Sequence, residues 1–182
     1  MLRQLGRCRV CVVKDLGRSR VSSRWTATDS GLEISLAAAG REDHDIALEL
    51  LRCLGQALWE KLPDRRRKAY WLLLDEEIRA GVPGEIDEDA LRQKSLLFSN
   101  RDSASSRLRL ERYGAASFAG MAAEYVHSLW HDVTVRTGAA FVPAEQLRRR
   151  LELFARWYPP GPGYRLFPPR SPSRQNHRAP AR

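Results

Sequence analysis

The stretch Leu32-Glu33-Ile34-Ser35-Leu36, followed by the run from Asp43 to Trp59 (DHDIALELLRCLGQALW), decides the fold. In the first part apolar and polar residues alternate with a period of two, the pattern of a strand with one buried face. In the second, Ile46, Leu50, Cys53, Leu54, Ala57 and Leu58 recur at spacings of three and four. That period predicts an amphipathic helix, capped by Asp43 or Asp45 and ending near Leu62-Pro63. The apolar face of the strand needs a cover, and the helix that follows it is the nearest one available. The expected class is therefore α+β.

Working outward, Arg24–Thr28 precedes the strand across Asp29-Ser30-Gly31, a short connection that predicts a β-hairpin, and Val10–Lys14 has the composition of a further short strand. Downstream the sequence reads as helices. One runs from Asp64 to Ala80 and stops at Gly81-Val82-Pro83-Gly84. The next opens at Ile86-Asp87-Glu88-Asp89, with acids where the helix dipole favours them, and reaches Phe98. A polar break over residues 99–106 leads into a long helix from about Ser105 to His131. Val133–Arg136 reads as a short strand, and Pro143 sits at the first turn of a last helix, Ala144–Tyr158. The expectation is a helix-dominated α+β body of about five helices, with a small antiparallel hairpin or sheet near the N-terminus.

Composition bounds the rest. With 182 residues, 43% hydrophobic and 29% charged, the chain is long and apolar enough for one folded domain. No run approaches the 18 apolar residues of a membrane span, and three cysteines do not make a disulfide scaffold. The net charge of +9 is uneven: residues 1–28 carry +6, residues 159–182 carry +5, and the stretch between them carries −2. The expected organisation is a basic, flexible extension over 1–21, a globular domain over 22–158, and a disordered tail over 159–182 with seven prolines and no acid. Such ends attract polyanions weakly and without sequence preference. A cytoplasmic setting is expected, or an organellar one if the Arg-rich, acid-poor residues 1–24 act as a transit peptide.

Several residue groups invite a chemical reading. Cys8-Arg9-Val10-Cys11 has the C-x-x-C spacing, but no second pair follows to complete a zinc ribbon, so it reads as strand. Glu124, His127 and His131 fall at successive steps of three and four residues, on one face of the long helix; a carboxylate with two imidazoles is a legitimate zinc or iron set. His44, between Asp43 and Asp45, reads as a surface residue at a helix start. Asp75-Glu76-Glu77 diverge around a helix and read as a solvated face. No nucleophile elbow, phosphate-cradling glycine loop or dinucleotide fingerprint occurs.

The run Leu50-Leu51-Arg52-Cys53-Leu54-Gly55-Gln56-Ala57-Leu58-Trp59 resembles the active-site helix of the zincin metallopeptidases, which commonly reads Leu-His-Glu-Leu-Gly-His-Ala and follows an edge strand. Leu54, Gly55 and Ala57 fit. Arg52 and Gln56 stand where the zinc-ligand histidines belong, and Cys53 where the general-base glutamate belongs. Residues 118–125 resemble the later helix from which the Glu-zincin branch draws a third ligand, here Glu124. The resemblance implies a degenerate scaffold without peptidase activity. A fixed cation and an amide cannot hold the ion as imidazoles do, and no carboxylate remains to take a proton from its water. The resulting expectation is a non-catalytic module that binds a protein or peptide partner, with no resident cofactor and no membrane contact. The alternatives are a metal-dependent enzyme built on Glu124, His127 and His131, and a basic-tailed nucleic-acid binder.

Overall fold

The computed structural model describes residues 2–17, 21–99, 103–131, 133, 137–164 and 166–167. A 3₁₀ turn (Leu2–Leu5) precedes three strands, β1 (Arg7–Val13), β2 (Ser23–Thr28) and β3 (Gly31–Ala37). Five helices follow: α1 (Asp43–Glu60), α2 (Asp64–Arg79), α3 (Glu88–Phe98), α4 (Ser103–His127) and α5 (Ala144–Trp157). The fold is α+β and helix-dominated, as its periodicities predict.

The sheet has the order β1-β3-β2. β2 and β3 form the expected antiparallel hairpin, with Trp25 opposite Ile34. β1 runs parallel to β3, from Arg7 opposite Gly31 to Val13 opposite Ala37, so the sheet is mixed rather than purely antiparallel. Gly31 shows why glycine stands at the tight end of the hairpin. Its φ is +150°, and a Cβ there would lie 2.0 Å from the Arg7 carbonyl oxygen. Residues before position 22 therefore contribute to the folded body, which the expected boundary left out: Leu5 is buried in the core and β1 is a full strand of the sheet.

Leu32, Ile34 and Leu36 are all buried, and α1 lies over them, packing on β2 and β3. Asp43 and Asp45 sit in the first turn of α1; the N-cap is Glu42, whose side chain makes no capping bond. On its other side α1 meets α4 closely because Gly55 has no side chain: a Cβ would come within 2.8 Å of Ala119 Cα and O. The aromatic core gathers around Phe118, with Trp59, Tyr70 and Phe154 at ring-centroid distances of 5.3, 5.3 and 4.9 Å.

Beside these rings lies a buried ionic network that the acidic run in α2 did not suggest. Glu77 is not on a solvated face but 1% exposed, and Arg150 and Glu85 are fully buried with it. Arg150 donates to Glu77 Oε2 at 2.5 Å and 3.0 Å, and to Glu85 Oε2 and Oε1 at 2.7 Å and 2.9 Å. Lys94 lies 3.7 Å from Glu85 and donates to the carbonyls of Val82 and Gly84, while Tyr113 donates its hydroxyl to Glu85. Burial alone would raise the Glu85 carboxyl, but Arg150, Tyr113 and Lys94 outweigh it and hold the group below its ordinary value. The network ties α2, the segment before α3, α3, α4 and α5 into one body.

The remaining boundaries are close to expectation, with defined causes. Asp87 is the N-cap of α3, accepting from Ala90 N at 2.9 Å, so the helix begins at Glu88. α4 ends at His127 rather than His131, and Pro143 caps α5 from outside its first turn. Of the expected strand over 133–136, residues 134–136 lie outside the described residues, as do 168–182 of the expected tail. Leu166 and Phe167 pack against the core, with Arg148 stacked 4.6 Å over the Phe167 ring.

Candidate functional site

A cleft of about 860 Å³ opens between α1, the residues that lead into α3, and α4. Its floor follows from local sequence. Gly84 turns the chain with φ +70°, after which Glu85 and Phe141 bridge through backbone bonds (Glu85 N to Ala140 O, 3.1 Å; Val142 N to Glu85 O, 3.2 Å). That bridge brings Ala140 and Phe141 to the cleft and fixes Ile86 and Asp87 against α4. Gly120 makes the contact possible, since a Cβ there would lie 2.3 Å from Ile86 Cγ2 and 2.5 Å from Asp87 Oδ2.

Arg52 projects from α1 into this cleft and is held from both sides. Its Nε lies 3.3 Å from Asp87 Oδ2, and its Nη1 lies 3.3 Å from Glu49 Oε2. Glu49 in turn accepts from the hydroxyls of Ser22 at 2.9 Å and Ser23 at 2.6 Å. A chain of polar contacts thus runs from β2 through α1 to the cap of α3. Burial raises the Asp87 carboxyl, and Arg52 offsets this only in part. Glu124, half-buried on α4, lines the same cleft.

The expected site residues divide. Arg52 and Glu124 share the cleft, whereas Cys53 and Gln56 do not line it. Cys53 is 2% exposed; burial pushes its thiol up, with a Ser23 hydrogen bond only partly opposing, so it stays a neutral thiol. Gln56 turns to β2 and accepts from Trp25 Nε1 at 2.9 Å.

The histidines regroup as well. His127 stacks on His131 with ring centroids 4.7 Å apart, although α4 has already ended, because one further turn (His131 N to His127 O, 3.1 Å) continues the chain. A third ring, His44, stands edge-on to His127 at 5.6 Å. Burial, together with His131 and His44, lowers the His127 pKa. Among the described residues no three His, Cys, Asp or Glu side chains converge to hold a metal ion, so the Glu124, His127 and His131 set does not assemble here. Cys8 and Cys11 are free thiols in β1.

Sequence reasoning passed over Asp87 as a site residue and His44 as a ring partner. The signal for Asp87 was an acid three residues before Ala90, at the first residue able to cap α3. His44 carried no such signal, since its partner arrives from the far end of α4. Compared with protein-family models, with curated proteins and with solved structures, the chain matches none.

Proposed function

We propose that the protein is a non-catalytic binding module, on a scaffold of the degenerate zinc-peptidase kind, that takes a peptide or partner segment in the cleft between α1, α3 and α4. The observation that carries this reading is Arg52. It occupies the cleft wall opposite a carboxylate-bearing helix, is neutralised by Glu49 and Asp87, and leaves about 860 Å³ open around it. A fixed guanidinium there supports binding and opposes metal-hydroxide chemistry. The lining carries Asp45, Asp87, Glu88, Asp89 and Glu124 against Arg52 and Arg92, so the charge that fits best is a Lys or Arg side chain on the incoming segment.

Peptide-array binding by the full chain tests the reading, together with a hydrolysis assay on the retained peptides. Peptides bearing Lys or Arg are expected to be retained uncleaved. Asp45→Asn combined with Glu88→Gln, both at the cleft, should release them. Retention that this variant leaves unchanged would refute the cleft, and cleavage by the unmodified protein would refute the non-catalytic reading.

A further inference from the structure

β1 is an edge strand whose core-side face has no cover. In the register with β3, Cys8, Val10 and Val12 lie opposite the buried Leu32, Ile34 and Leu36 and so point to the same side of the sheet. α1 packs over β2 and β3 and stops short of β1, leaving Val10 43% and Val12 60% exposed. The outer backbone edge of β1 pairs with no strand among the described residues. Edge strands are usually blunted by shortness, proline, bulges or charged side chains, and the two charges of β1, Arg7 and Arg9, stand on the face away from Val10 and Val12. β1 has seven residues, no proline and an unbroken register with β3.

We propose that this edge pairs with β1 of a second copy of the chain, antiparallel about a two-fold axis through Val10 and perpendicular to the sheet. The inference is independent of the cleft. Such an axis keeps each face of the sheet continuous, so residues of equal parity must pair. With Val10 on the axis, Cys8 faces Val12 on the uncovered side, while Arg7 faces Val13 and Arg9 faces Cys11 on the other. Every arginine then meets a neutral residue, and Arg9 keeps its own partner Glu33 at 3.7 Å. Moving the axis to Arg9 sets the two Arg9 side chains against each other; moving it to Cys11 leaves Arg7 and Cys8 unpaired. Only the Val10 register pairs the whole strand without opposing like charges. The two sheets become one of six strands in the order β2-β3-β1-β1-β3-β2, with both α1 helices on one face and a valine strip between them.

Sedimentation equilibrium of the full chain over micromolar concentrations provides the test. The unmodified protein is expected to be a dimer, and Val12→Lys, at a solvent-exposed position, to raise its dissociation constant about tenfold or more while leaving the circular dichroism unchanged. Val12→Cys under mild oxidation should give a covalent dimer joining Cys8 of one copy to the thiol at position 12 of the other, identified by peptide mass spectrometry. A monomeric unmodified protein would overturn the proposal. So would a dimer indifferent to Val12→Lys, or a cross-link at position 12 to any cysteine but Cys8.

Discussion

Replacing Arg150 with Met removes the only cation, among the described residues, that both Glu77 and Glu85 contact directly at hydrogen-bond distance. The volume is nearly kept, so the effect is electrostatic. Glu77 loses its bonds at 2.5 and 3.0 Å, Glu85 those at 2.7 and 2.9 Å, and both carboxylates stay 0–1% exposed. Removing one member of a buried ion pair typically costs about 3–5 kcal/mol, a large part of the roughly 5–15 kcal/mol that holds a domain together. Lys94 moderates the loss at Glu85 but reaches that carboxylate only at 3.7 Å. The expected loss at pH 7 is therefore about 3–5 kcal/mol, measured by urea unfolding followed through tryptophan fluorescence. Its pH dependence has a definite sign. In the unmodified protein the lowered Glu85 pKa contributes stability that is present above the unfolded value and lost as pH falls through the folded one. In the variant Glu85 keeps its burial but loses Arg150, the largest influence holding its carboxyl down, so acidification relieves it and the gap between the two proteins narrows. Adding Glu77→Leu to Arg150→Met should recover part of the loss, because one of the two stranded charges is gone while Glu85 keeps Lys94 nearby. A loss under about 1 kcal/mol, or a double variant in which the two losses simply add, would refute the assignment of this network as a coupled buried set.

Three further outcomes are expected. Gly55→Ala should destabilise by about 1–3 kcal/mol in thermal or urea unfolding despite alanine's higher helix propensity, because its Cβ would meet the Ala119 backbone at 2.8 Å. Asp87→Ala should lose about 1 kcal/mol with the α3 cap, whereas Asp87→Asn keeps a capping oxygen and should be close to neutral at pH 7; equal losses would refute capping as the role of this side chain. Because the folded-state pKa of His127 is lowered, its contribution is present above the unfolded value and lost as pH falls through the folded one, so unfolding midpoints should decline on acidification from pH 7 to about 5 and His127→Gln should flatten that decline.

Most of the fold is written locally. The alternation at Leu32, Ile34 and Leu36 and the spacing from Ile46 to Leu58 are short-range patterns, and both survive intact as β3 and α1. What the sequence hid is long-range. The parallel pairing of β1 is an agreement between Arg7–Val13 and Gly31–Ala37 that no turn announces. The acids at 75–77 look alike in sequence, yet only Glu77 continues the buried line of Tyr70 and Leu74, and only a residue from α5 could reveal why. That partner did leave a trace: Arg150 lies on the face of α5 that carries Leu147, Leu151 and Phe154, an odd place for a lone arginine. Within the cleft, only the resemblance brought out Arg52, whereas Glu124 was marked both by its helical spacing with His127 and His131 and by the resemblance. The diversion of Gln56 to Trp25 depends on how the sheet meets α1, which spacing alone does not encode.

Arg150 stands 73 residues after Glu77 and 65 after Glu85, and this separation sets an order of events. A growing chain presents both acids long before the cation that makes their burial tolerable. Until α5 arrives, Glu77 lacks its guanidinium and Glu85 has only Lys94 and Tyr113, so sealing both carboxylates away from water is costly. The docking of α5 is then the step that supplies the missing guanidinium and lowers that cost. A chain cut short before α5 would be left ajar at its centre, a fault that cellular proteolysis is well placed to find.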